Sequence, residues 1–293
     1  MRVLGLLALL VLVAAMAPGC SQSAPADASA PVLSVYTGLY PLAQAVQQVG
    51  QSKVSVTDVV PPGADPTTYR LTPGQAAQIR RGGVVVEIGG GFQPSLEQAA
   101  AGAPHVLVLR SELNAANPYI WLDPNVMQKA VALIAGAMEA ADPAATGLFR
   151  QGEQAFAASV ESTGIDYEST LSACPRTTIF TADSAFAAMS SDYGLRDIAV
   201  GASPAPQPSG LRSAATAMEG IGATTIFSEP WLPSATVDAV AAAAHAKVRL
   251  LDTLEGPPPG GWPRQADYIK LMESNLGALS SALGCPNTAT GND

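Results

Sequence analysis

Only two histidines occur in 293 residues. His105 precedes a predicted strand and His245 lies in an Ala-rich helix, so both read as surface or structural residues. There is no paired histidine and nucleophile, no nucleophile elbow and no His-containing metal triad, so an enzyme is not expected. Basic residues are also few. Fifteen Lys and Arg against 24 Asp and Glu give a net charge of −9, and the absence of any basic run argues against a nucleic-acid partner. Aromatics make up 5% of the chain, so the core must be built from Ala, Val, Leu and Ile. The N-terminal apolar run, Val3 to Ala15, is shorter than the roughly 20 residues that a membrane-spanning helix needs.

That run has another reading. Arg2 supplies a positive start, the apolar stretch follows, and small residues lead to Cys20 in Met16-Ala-Pro-Gly-Cys20. This is the plan of a secretory signal over 1–19. Its end resembles a bacterial lipobox, in which Cys20 carries the lipid. Residues 20–31 lack periodicity and read as a tether. The chain is therefore expected on the outer face of a bacterial cytoplasmic membrane, held by a lipid anchor alone. With Cys20 lipidated, Cys174 and Cys285 remain as an even pair in an oxidising compartment, which predicts a disulfide. Two buried thiols are the alternative.

From residue 32 strands and helices alternate. Val32–Tyr36, Val54–Val60, Val84–Ile88 and Val106–Leu109 read as strands, with amphipathic helices between them. Pro61-Pro62-Gly63 can continue neither element. Residues 125–140 and 143–172 then read as helices. In the second, Phe149, Phe156, Val160, Thr163, Tyr167 and Leu171 share one stripe, with Asp142 as cap and Pro143 at the first position. Such a helix, roughly 45 Å long, makes sense as a strut. The rhythm resumes at Thr178–Thr181, Ile198–Val200, Thr225–Ser228 and Val248–Leu251. The expected fold is α/β: two doubly wound parallel-sheet lobes joined by one long rigid helix. The N-terminal lobe is placed at 32–141, the linking helix at 142–173, the C-terminal lobe at 174–286 and a tail at 287–293. A ligand cleft is expected where the carboxyl ends of the strands of both lobes face each other. Glu87 ends a strand before Gly89-Gly90-Gly91, but that spacing is not a phosphate loop.

Four segments carry a family resemblance: Val59-Val-Pro-Pro-Gly-Ala-Asp-Pro-Thr-Thr-Tyr69, Asn117-Pro-Tyr-Ile-Trp-Leu-Asp-Pro124, Thr181-Ala-Asp-Ser-Ala-Phe186 followed by Tyr193-Gly-Leu195, and Phe227-Ser-Glu-Pro230 followed by Leu251-Asp252. In order and spacing they resemble the zinc- and manganese-binding solute-binding proteins of ABC transporters, the zinc-uptake A family. The resemblance implies two lobes on a rigid helix, a monomer, and delivery of an ion to a permease driven by an ATPase. It also implies one ligand from each segment, at Thr67, Tyr119, Asp183 and Asp252. Three of these depart from the family's usual pattern, and every histidine is replaced.

The resulting donor set is all oxygen. Zn²⁺ favours imidazole and thiolate, whereas these donors suit Mn²⁺ or another oxygen-preferring divalent ion. Glu229, at the end of a predicted strand, is a candidate accessory ligand, with a loop-capping role as the alternative. Trp121 and Phe186 read chiefly as packing residues. Two other functions stay open at this point. One is a cleft for a small cationic organic solute, with Tyr119 and Trp121 beside the carboxylates. The other is a surface protein for adhesion or docking.

Overall fold

Each strand is followed by a helix that crosses back, so pairing is parallel throughout. In the computed structural model the described residues are 32–201, 207–257 and 266–286; the signal segment, Cys20, the tether and the tail lie outside them. The first half runs β1 (Leu33–Thr37), α1 (Tyr40–Gly50), β2 (Val54–Asp58), α2 (Pro73–Arg81), β3 (Val84–Glu87), α3 (Pro94–Ala100), β4 (His105–Val108) and α4 (Leu109–Glu112). Its four strands form one parallel sheet in the order β2-β1-β3-β4. The Val-Val-Val-Glu of β3 is buried at every position, as a central parallel strand covered on both faces must be.

Two long helices follow, α5 (Pro124–Ala141) and α6 (Thr146–Leu171). The stripe read from the sequence is the buried face of α6: Phe149, Phe156, Val160, Thr163, Tyr167 and Leu171 are all covered. On the other side Ile165 is 61% exposed. Gly152 permits the close crossing with α1, since a Cβ there would lie 2.3 Å from the Val49 carbonyl oxygen. The start of α6 differs from expectation. Pro143–Ala145 form a separate 3-10 turn and the Asp142 side chain caps nothing, because Asp142 instead closes α5, its N–H donating to Met138 O.

The second half comprises β5 (Thr178–Thr181), α7 (Ala187–Asp192), β6 (Arg196–Ala199), α8 (Pro208–Gly220), β7 (Thr225–Ser228), α9 (Ala235–Ala243), β8 (Lys247–Leu250) and α10 (Tyr268–Leu283). Among the described residues it holds two parallel pairs, β5–β6 and β7–β8, rather than one continuous sheet. β5 runs beside β7, but strands of four residues offer few registers for a ladder between the pairs.

The last helix touches β5 in the second half but packs chiefly on the long helix. α10 lies along α6, and the Tyr167 hydroxyl donates to Met272 O at 2.8 Å. Cys174 and Cys285 are joined by a disulfide across 111 residues, tying the end of α6 to the end of α10. The main core is consequently continuous, from Val35 and Val86 in the first sheet through Phe149 and Tyr167 to Tyr268 and Leu279. A smaller core around Phe180, Ile226 and Val240 serves the second half alone. From Val32 onward the chain is one compact unit.

Candidate functional site

The carboxyl ends of β2, β5, β7 and β8 deliver their loops to one place between the halves. There a cavity of about 60 Å³ is lined by Asp65, Thr67, Tyr119, Asp183, Glu229, Trp231, Leu232, Thr253 and Glu255. On a scale of roughly 10–15 Å³ for each water position, that is room for an ion and a few waters. Four of the lining residues are carboxylates and none is basic.

The first half supplies the neutral donors and one acid. After β2, Pro61, Pro62 and Gly63 (φ 83°) turn the chain, and Gly63 N–H donates to Pro257 O at 2.9 Å, tying this loop to the other half. Asp65 then organises a tight turn. Its Oδ1 accepts both the backbone N–H and the hydroxyl of Thr67, at 2.8 and 2.7 Å. The Thr67 hydroxyl is thus already engaged with a carboxylate. Tyr119 is placed by Asn117, whose Oδ1 accepts its N–H at 2.8 Å. The rings of Phe92 and Trp121 back it at 5.3 and 5.4 Å between centroids. Burial, then the charges of Glu255, Asp183 and Glu229, push the Tyr119 hydroxyl far up, so it stays a neutral phenol beside Glu255.

The second half supplies three acids. Asp183 follows β5; its Oδ1 accepts Ala185 N–H at 2.7 Å, and its own N–H donates to Glu229 Oε1 at 3.0 Å. Glu229 follows β7 and is 5% exposed. Burial, then the Asp183 charge, raises its carboxyl from the ordinary 4.5 to about 8. Glu255, 4% exposed, is likewise raised to about 8 by burial and then by Asp65 and Asp183. Carboxylates crowded around a small buried space hold protons because each added negative charge raises the cost of the next.

Of the residues singled out in the sequence, Thr67, Tyr119, Asp183 and Glu229 are brought together on the cavity wall. Asp252 is not among the lining residues. Its backbone exchanges two hydrogen bonds with the Asn275 side chain, at 2.9 and 2.7 Å, and its Oδ1 accepts Leu254 N–H at 2.8 Å. It shapes the turn that carries Glu255 into the cavity. Trp121 does not stand beside the carboxylates as a surface for a cation. It is fully buried, and its indole N–H donates to Thr253 O at 2.7 Å, because the large ring is drawn into the core. Phe186 is buried as well. Asp65, Trp231, Thr253 and Glu255 were not singled out. Glu255 could have been noticed as a second acid beyond the end of β8. Among the described residues no three His, Cys, Asp or Glu side chains converge into a ready-made ion cage.

Residues 35–282 match the family model described as "Zinc-uptake complex component A periplasmic". The chain belongs to this family. Among curated relatives, the high-affinity zinc uptake system protein ZnuA of Bacillus subtilis is 25% identical over 291 residues, covering 90% of this chain and 91% of that one. The zinc-binding lipoprotein AdcA of Streptococcus pneumoniae R6 is 28% identical over 56% of this chain and 33% of its own length. Solved structures agree on the fold. The metal-dependent lipoprotein YcdH of Bacillus subtilis superposes with a TM-score of 0.77 at 24% identity, covering 86% of this chain and 99% of that one. The Zn(II)-bound ZnuA-like domain of S. pneumoniae AdcA gives 0.76 at 21%, again over 86% and 99%. Two α/β halves on a long helix are thus the architecture this family member shares with them.

Proposed function

We propose that this family member is the extracytoplasmic binding component of an ABC importer. It takes a divalent metal ion as cargo into the acidic cavity and presents it to a permease driven by an ATPase. The observation that carries the reading is four carboxylates and a phenol around about 60 Å³ with no basic residue on the wall. Asp183 anchors the ion, Glu229 and Glu255 supply further charge, and Asp65, Thr67 and Tyr119 close the first-half side. Asp252 acts through the loop it shapes. Thr253 Oγ1 and Trp231 Nε1, buried without partners, offer hydrogen bonds to waters that the ion keeps.

Oxygen donors of this kind favour Mn²⁺ or another oxygen-preferring ion over tightly held Zn²⁺, which selects imidazole and thiolate. The protein works as a monomer, anchored at the outer face of the membrane through Cys20.

Thermal unfolding of purified, EDTA-treated protein against Mn²⁺, Zn²⁺, Co²⁺, Mg²⁺ and Ca²⁺ tests this. An ion at a hundredfold excess over its Kd stabilises the folded state by about 2.7 kcal/mol. The expected result is a shift with Mn²⁺ that disappears in Glu229→Gln/Glu255→Gln. No shift with any ion, or a shift that the double variant keeps, overturns the reading.

A further inference from the structure

Behind Tyr119 lies a second cavity, distinct from the acidic one but sharing that residue as a wall. Its volume is about 430 Å³, within the roughly 300–1,000 Å³ of small-molecule sites and far more than a metal ion needs. Leu113 and Ile120 line it from the first half and Ala188 from α7 in the second. An apolar space of this size between two halves suits an organic body.

Two of its polar groups are aspartates. Asp123 is 2% exposed. Its Oδ1 is used, accepting Asn125 N–H at 2.9 Å to cap α5. Its Oδ2 is buried and receives no N–H or hydroxyl donor. The group that it meets is another carboxyl, that of Asp192 at the end of α7: burial, then a side-chain hydrogen bond with Asp192, raises Asp123 to about 7, so the pair shares a proton. Lys129 also lines the cavity, but it is exposed. The ion pairs among the described residues are Arg150–Glu139 and Lys270–Asp267, so Lys129 reaches neither aspartate. Two carboxyls joined by one shared proton offer a cation with several N–H groups a place to donate to both.

We propose that this cavity is a second binding site, for a small organic monocation: a primary ammonium on an apolar body, its N–H groups shared between Asp123 Oδ2 and Asp192. The ammonium joins the start of α5 to the end of α7, one from each half. The apolar body fills the space between Leu113, Ile120 and Ala188. This site does not depend on which ion the acidic cavity takes.

Calorimetric and NMR titration of the EDTA-treated protein with phenethylammonium tests the proposal, with 2-phenylethanol as the uncharged counterpart. The ammonium should bind saturably, one per chain, and the alcohol at least about tenfold more weakly, the loss typical of one charge-assisted hydrogen bond. Asp192→Asn should weaken the ammonium by a similar factor. Ala188→Phe, which fills the space, should abolish binding, and Glu229→Gln in the other cavity should leave it intact. No saturable binding to the native chain overturns the site. So do equal affinities for ammonium and alcohol, or a loss in Glu229→Gln with none in Asp192→Asn.

Discussion

The two halves use the same strand–helix repeat but are covered differently. In the first, β1 to β4 form one sheet inside the main core, and β3 has no exposed residue. In the second, the strands form two pairs around a smaller core. β8 is exposed at all four positions, with Leu250 54% and Val248 40% accessible. The acids follow the opposite trend. Asp183, Glu229 and Glu255 come from the less covered half, while the better packed half contributes Asp65 and the neutral groups of Thr67 and Tyr119. The better covered half thus forms one wall, and the other brings charge up to it. Ties between the halves include Gly63 to Pro257, Tyr40 to Glu255 and Trp121 to Thr253, while the disulfide and Tyr167 to Met272 hold α10 on α6.

Breaking the covalent tie should have the largest effect. For a closed loop of 111 residues, the chain-entropy model gives about 4–5 kcal/mol. Urea denaturation with and without reductant should show a loss of that order, with the fluorescence of Trp231, in the charged half, changing first. The contrast in burial is tested by a matched pair. Leu107→Ala on β4, 8% exposed, should cost about 2–5 kcal/mol, whereas Leu250→Ala on β8 should stay within about 0.5 kcal/mol. Equal losses would mean that β8 is covered in solution.

A smaller effect separates two acids three residues apart. Glu255→Gln should weaken Mn²⁺ binding at least tenfold, about 1.4 kcal/mol, measured calorimetrically. Asp252→Asn should weaken it less, because the amide oxygen can still accept Leu254 N–H. The reverse order would make Asp252 the direct ligand.

A further test is of pH dependence. Glu229 and Glu255 are raised from 4.5 to about 8 in the folded chain, so the folded state holds protons that the unfolded chain releases. Their contribution is fully present below about 4.5 and is lost as pH rises through about 8. The ion-free protein should therefore become less stable across that interval, and Glu229→Gln should flatten the slope. A divalent ion displaces those protons, so its affinity should rise over the same range. Calorimetry in buffers of different ionisation enthalpy should detect the protons released.

Much of this architecture is legible in the chain because it rests on local periodicity. The apolar run of β3, the stripe from Phe149 to Leu171 and the Pro-Pro-Gly turn each follow from a repeat or a restricted backbone. The motifs likewise brought out Thr67, Tyr119, Asp183 and Glu229. Glu255 stands in the sequence as a second acid beyond β8, but its place on the cavity wall was not legible, since nothing local distinguishes it from any acid after a strand. Trp121 and Tyr119 show the same limit: two residues apart in one motif, one ring is drawn fully into the core and the other stops at the cavity.

By itself the sequence determined the repeat, the long helix and the family motifs, because residue type and spacing are sufficient for each. Only the tertiary structure decided which carboxylates share a cavity. Asp252 is held back by Asn275 and by the Leu254 N–H, and the turn that results, with Leu254 at φ 55°, carries Glu255 inward. That choice depends on where distant segments pack, and on the cost of crowding buried charge, neither of which is written in any short stretch of chain.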